Sequence, residues 1–147
     1  MMFSDVVDVL RGEHDEIRRL CAAVERSGDR DRGHRFAVLS RAVHRHEFGE
    51  RAVVHPAVRN VSVAADLIAT MRLTEETALL LALNTLDDLG PEDPGFRRGF
   101  TALHRAVLEH LTREELDEFP ILRRHVPVQR LHAMTGALTD VQLMAAA

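Results

Sequence analysis

The chain contains no lysine, no tyrosine, no tryptophan and only one cysteine. Each absence removes a class of explanation. Without tyrosine or tryptophan, redox chemistry in this protein has no tyrosyl or tryptophanyl radical to use as a partner. A single thiol, Cys21, excludes an internal disulfide and points to a reducing, cytoplasmic compartment. Met1 to Leu10 lack a basic stretch followed by a long apolar run, so no secretion signal is expected, and no segment approaches membrane-spanning length. The formal net charge of −4 argues against nucleic acid as a partner, since the pairs Arg18-Arg19, Arg97-Arg98 and Arg123-Arg124 are scattered rather than gathered on one face. The zinc-protease pattern His-Glu-x-x-His, the Glu-x-x-His pair of ferritin-like carboxylate proteins, a glycine-rich phosphate loop and Cys-x-x-Cys are also missing.

What is present is one spacing that occurs twice. A histidine is followed by a glutamate four residues later and a proline ten residues after the histidine, as His46, Glu50, Pro56 and again as His110, Glu114, Pro120. Each member of the second copy lies 64 residues after its counterpart, so the chain reads as two half-length units carrying one chemical device. On a helix, positions i and i+4 share a face, which lets an imidazole and a carboxylate converge on one metal ion. None of the other seven histidines has a glutamate at i+4.

Apolar residues recur at three and four with short breaks between runs, the pattern of an all-α bundle in one domain of 147 residues. A first helix is expected from Ser4 or Asp5 to Ser27, and a second from His34 to Pro56, where the missing N–H and the ring bend or stop it. A third runs from between Val61 and Ala65 to Leu89, ahead of Gly90-Pro91. A fourth runs from Phe96 to Pro120, fraying to His125. The bundle thus occupies residues 4–125. The tail, residues 126–147, is expected as a short extra helix that packs through Leu131, Met134, Leu138, Val141 and Leu143.

The paired residues stand where a buried seam should be apolar. His14 follows Val7 and Leu10 and precedes Ile17, Cys21 and Val24. His46 and Glu50 continue Phe36, Leu39, Val43 toward Val53, and His110 and Glu114 continue Phe100, Leu103, Val107. Carboxylates buried without partners cost several kcal/mol, so two in one core imply a compensating cation, or else a buried layer of ion pairs. The same offset carries Glu13 to Glu76 and His14 to Thr77. Glu76 lies in the run Ala69, Leu73, Leu80, Leu83 and is a candidate substitute ligand for the histidine missing at 77, the alternative being an outer or surface group. Imidazole and carboxylate donors without thiolate suit iron, manganese or zinc. His55 falls opposite His46 on an ideal helix, so only a redirection at Pro56 makes it an outer donor or alternative ligand. His44 and His104 lie off the seams, and His34, His125 and His132 are expected at the surface. Cys21 is expected to fill core space.

One histidine on the first helix, followed by a His-x-x-x-Glu pair and a proline on both the second and the fourth, resembles the hemerythrin-like proteins of the HHE cation-binding class over residues 5–125. The segments Val53-Val54-His55-Pro56 and Glu118-Phe119-Pro120 are similar to the ends of its paired helices. The resemblance implies an antiparallel up-and-down four-helix bundle holding a non-haem di-iron centre. His14, His46, Glu50, His110 and Glu114 would be its ligands, and the two glutamates would bridge the ions. The family also expects a histidine on the third helix, where this chain has Thr77, and that departure leaves one coordination position open. Three functions follow from such a centre: binding dioxygen, peroxide or nitric oxide for carriage or sensing; catalase-like, peroxidase-like or oxidase turnover; or a degenerate bundle with one or no metal acting as a protein-interaction module.

Overall fold

The computed structural model describes residues 4–146, and side chains as far as residue 145. The expected behaviour of Met1, Met2 and Phe3, and of Ala147 at the end of the tail, lies outside the described residues. Among the described residues every regular element is helical: α1 Val6–Glu25, α2 Arg32–Gly49, a π turn Glu50–Val54, α3 His55–Arg59, α4 Val63–Leu89, α5 Phe96–Leu116, α6 Glu118–His125 and α7 Val128–Ala146. Among the described residues no helix is long and apolar enough to cross a membrane.

Local chemistry sets the boundaries. The Asp5 carboxylate accepts from the Asp8 N–H at 2.9 Å and Asp8 answers with a bond from the Asp5 N–H, so two otherwise unpaired donors of α1 are satisfied. Arg123 of α6 donates to both carboxylates, at 3.0 and 2.7 Å, tying the start of α1 to the end of the bundle. Ser62 caps α4 through a 3.0 Å bond from the Ala65 N–H. Gly90, with φ of 90°, ends α4 in a conformation that side chains with a Cβ resist.

The two prolines act differently. Pro56 does not stop the second helix. Having no N–H to offer the carbonyl four residues back, it is accommodated by a wider turn in which the His55 N–H bonds the Glu50 carbonyl, five residues earlier, and the chain continues into α3. That extra residue rotates everything beyond it, so Val54 is fully buried where Val53 was expected. The fourth helix is not continuous to Pro120. It breaks at Asp117 (φ −123°, ψ −60°), whose carboxylate accepts from the Glu118 N–H at 2.6 Å and starts α6. The tail is not a short helix: α7 has 19 residues and lies against α1, α2 and the π turn. Leu131, Met134 and Leu138 pack inward as expected, but Leu143 is exposed.

Burial divides the core in two. One apolar cluster holds Val6, Leu10, Val54, Val58, Ala65, Phe119 and Leu138, and the other holds Ile17, Phe36, Val43, Leu79, Phe100, Val107 and Leu111. Between them, on α1, α2, α4 and α5, comes a polar residue: His14 after Leu10, His46 after Val43, Glu76 before Leu79, and Glu114 after Leu111. The hydrophobic burial that stabilises the fold is therefore supplied above and below this layer. Replacing the cap by Asp5→Ala removes the capping box and the Arg123 contact together. Chemical denaturation should show a loss of about 1 kcal/mol with no change in helix content.

Candidate metal centre

Four histidines enter the polar layer, each fully or almost fully buried: His14 from α1, His46 from α2, His55 from the start of α3 and His110 from α5. Four carboxylates meet them, Glu47, Glu50, Glu76 and Glu114, with relative exposures of 0 to 2%. His14 Nε2 lies 3.2 Å from Glu114 Oε1 and 3.7 Å from Glu50 Oε1, and His46 Nε2 is in close contact with Glu50. His110 Nε2 stands 3.5 Å from Glu114 and 3.7 Å from both Glu47 and Glu76. His55 Nε2 reaches Glu76 at 2.6 Å and Glu50 at 3.8 Å.

The far side of every ring is organised the same way. His14 Nδ1 meets Glu115 at 2.6 Å, His46 Nδ1 meets Glu13 at 2.7 Å, His55 Nδ1 meets Glu118 at 2.8 Å, and His110 Nδ1 meets Glu75 at 2.8 Å. A carboxylate on Nδ1 holds the proton there, which leaves the Nε2 lone pair directed into the layer; this is how proteins orient imidazoles toward metal ions.

The inward donors form three groups that could each hold an ion, with ligating atoms within 4.8 Å of one another: His14, His46, Glu50 and Glu114; Glu50, His55, Glu114 and Glu118; and Glu47, Glu76 and His110. The first two share Glu50 and Glu114. Fit to a cation can be judged from unsatisfied atoms. Nε2 of His14, His46 and His110, both oxygens of Glu50 and of Glu114, and one oxygen each of Glu47 and Glu118 are buried with no hydrogen-bond partner. Buried polar atoms are seldom left this way, and their concentration on one layer of nitrogen and oxygen donors matches what a divalent or trivalent cation would satisfy.

Without a cation the layer shares protons. Burial, then the neighbouring Glu76 and Glu50, push Glu47 well above the usual carboxylate range; burial and Glu50 do the same to Glu114. Burial also disfavours ionised Glu50, but His46 beside it outweighs that effect and holds it well below. Burial disfavours ionised Glu76, but the nearby His110 and the hydrogen bond with His55 outweigh it and bring Glu76 down to about 2. Burial lowers the basicity of His55, yet Glu118 and Glu76 reverse this and hold it up to about 10. Glu118 is pushed up to about 7 by burial against the opposing effect of His55.

Of the residues expected from sequence, His14, His46, Glu50, Glu76, His110 and Glu114 all lie in this layer. Thr77 does not. It is exposed, donates to the Leu73 carbonyl at 3.1 Å and accepts from Arg51 at 3.2 Å, outside the polar layer. The fourth imidazole is instead His55, brought inward by the π turn. Glu47 was missed altogether because it lies one residue off the seam; its adjacency to His46 places it toward α4, and a buried glutamate beside a buried histidine was the available signal. His44 and His104 stay outside, bonded to the Ser40 carbonyl at 2.8 Å and to Glu25 at 3.1 Å. Cys21 is buried, and burial pushes its thiol up to about 12, consistent with core filling.

A family model for the hemerythrin HHE cation-binding domain matches residues 5–122. The chain belongs to that family. No curated protein and no solved structure matches it. The match ends at residue 122, so α7, Val128–Ala146, lies beyond the matched residues.

The protonation pattern gives a measurable consequence for this HHE domain. At neutral pH the metal-free protein holds His55 as imidazolium, and His46 and His110 are also raised by the carboxylates that face them. An imidazolium has no lone pair to give. Loading with a divalent cation in weak buffer should therefore release protons, detectable with an indicator dye, and affinity should fall as pH falls.

Proposed function

We propose that this domain is a non-haem di-iron protein that binds or turns over a small oxidant, with His14, His46, Glu50, His110, Glu114 and Glu76 as metal ligands and Glu50 and Glu114 shared between two ions. One observation carries the reading: Nε2 of His14, His46 and His110 and both oxygens of Glu50 and Glu114 are buried with no hydrogen-bond partner, while Nδ1 of each of these rings is anchored to a glutamate. His55 joins the donor set. It stands 64 residues before Phe119, so the two halves of the repeat have exchanged roles: Phe119 packs on His14, with ring centroids 5.2 Å apart, and His55 packs on Glu76. The imidazole missing at 77 is thereby regained at 55.

Iron held there supplies one-electron redox chemistry and Lewis acidity toward dioxygen, peroxide or nitric oxide. The protein's own contribution is to hold the rings in one tautomer, to exclude bulk water with apolar clusters on both sides, and to keep a proton on Glu47, whose Oε2 has no partner, beside His110 and Glu76. The three carboxylate ligands, Glu50, Glu76 and Glu114, favour the ferric state, which supports peroxide chemistry over reversible dioxygen carriage. Short connections between long helices support an antiparallel up-and-down arrangement in one domain spanning 1–147, and the lone thiol fits a reducing cytoplasm. Zinc or manganese would satisfy the same donors without the same redox chemistry.

Elemental analysis together with the optical spectrum tests the assignment. About two irons per chain with near-ultraviolet charge-transfer absorption is the expected result. Protein that stays metal-free after anaerobic addition of ferrous iron would favour a bundle acting only through protein contacts. Substitution separates ligands from bystanders. Glu50→Ala and Glu114→Ala should lose metal while retaining helix content, because the apolar clusters are untouched. Glu76→Gln should also deplete metal, whereas Thr77→His should leave the iron content unchanged; a gain of iron in Thr77→His would restore the open-position idea.

A further inference from the structure

We propose that Gln142, on α7 and beyond the span matched by the family, is a positioning residue of the centre: it fixes Glu13 as the acceptor for the Nδ1–H of His46 and thereby fixes the direction of His46 Nε2. The inference rests on the reading of His46 as a ligand. Its amide nitrogen donates to both oxygens of Glu13, at 3.1 and 3.0 Å, and Glu13 Oε1 is the atom 2.7 Å from His46 Nδ1.

The other partly exposed outer glutamates are held by arginine. Glu115 takes a bond from Arg18 at 3.0 Å, and Glu75 takes one from Arg113 at 2.8 Å with Arg72 at 3.3 Å. Glu13 has no arginine partner among the described residues, and it borders a cleft of about 270 Å³ between α1 and α2 that also touches Arg45 and His46. A carboxylate at the edge of such a cleft is free to turn toward water, and the bonds from α7 oppose that turn. The approach of α7 is itself built in. A Cβ added at Gly49 would lie 2.5 Å from Leu138 Cδ1 and 2.9 Å from Gln142 Nε2, so glycine is what lets α7 seat with Leu138 fully buried and Gln142, one turn on, against Glu13.

The test uses Gln142→Leu, which keeps bulk and removes the donor, and Gln142→Glu, which keeps size and shape but replaces the donor by an acceptor facing Glu13. Gln129→Leu, at an exposed position on the same helix, is the control. Two quantities are read: the downfield proton resonance of His46 Nδ1–H in metal-free protein, and the cobalt(II) affinity followed by d–d absorption. Both Gln142 variants should shift and broaden the resonance through faster exchange. Cobalt affinity should fall about tenfold, at the lower end of what outer partners of metal-binding histidines contribute, with Gln142→Glu weaker than Gln142→Leu and Gln129→Leu like wild type. A resonance and an affinity unchanged in both Gln142 variants would overturn the proposal, and so would a loss in Gln142→Leu matched by wild-type behaviour in Gln142→Glu, since packing alone would then be responsible. Wild-type protein that takes up no cobalt would overturn the ligand reading instead, and the resonance would still decide the role of Gln142.

Discussion

The constraint on which the rest of the molecule depends is the burial of five carboxylates and four imidazoles in one layer of a helical bundle. Each ion taken from water into a protein interior costs several kcal/mol after relaxation, and like charges at a few ångströms repel. The protein meets this cost in two ways. Opposite charges are interleaved, so that His46 faces Glu50, and His55 faces Glu76 and Glu118. The remaining carboxylates, Glu47 and Glu114, are pushed well above the usual carboxylate range by burial and by the neighbouring glutamates, which favours their neutral form. The folding energy comes from elsewhere, from the apolar clusters on either side, so the layer is free to be shaped for binding rather than for stability.

How much of this was readable in the sequence follows from periodicity. His14, His46, Glu50, His110 and Glu114 sit on regular three-and-four spacing, and an α-helix turns such spacing into a face whatever its neighbours do. Glu76 was readable for the same reason, as the inward residue of a run, even though the repeat pointed to Thr77 beside it. His55 was not readable from regular geometry. Nine residues after His46, it belongs on the opposite side of an α-helix, and only the wide turn that Pro56 requires brings it round. The helix boundaries erred where local hydrogen bonding outweighs pattern: Asp117 starts a new helix by accepting the Glu118 N–H, and nothing in the apolar period announces that break.

The repeat explains both what the halves share and where they diverge. The shared device is the pair on one face, with a proline ten residues beyond the histidine. The first proline is absorbed by a π turn and carries a histidine inward; the second lies in the first turn of α6, after a break, and Phe119 occupies the equivalent of His55. Likewise Leu111, in the apolar cluster, occupies the equivalent of Glu47. The acidic and basic additions of the first half, Glu47 and His55, both contact Glu76, on the helix that lacks the expected histidine: Glu76 reaches His55 at 2.6 Å, and its ionisation raises Glu47. One substitution on α4 is thus met by two on the segment that faces it, which is how a closed polar layer keeps its charge and hydrogen-bond balance when one member changes.

The same logic extends outward. A glutamate on Nδ1 makes an imidazole a stronger donor in proportion to how much negative charge that glutamate retains. Glu115 and Glu75 each give part of theirs to an arginine, whereas Glu13 faces a neutral amide and keeps more of its own. His46 is therefore the most electron-rich of these three rings, and it is also the one paired at closest range with Glu50, the carboxylate common to two of the donor groups. Arg51 works in the opposite sense on the other side, half-exposed and 3.4 Å from Glu76, drawing charge away from the donors on α4. The layer is consequently polarised, richer in donor strength between α1 and α2 than against α4.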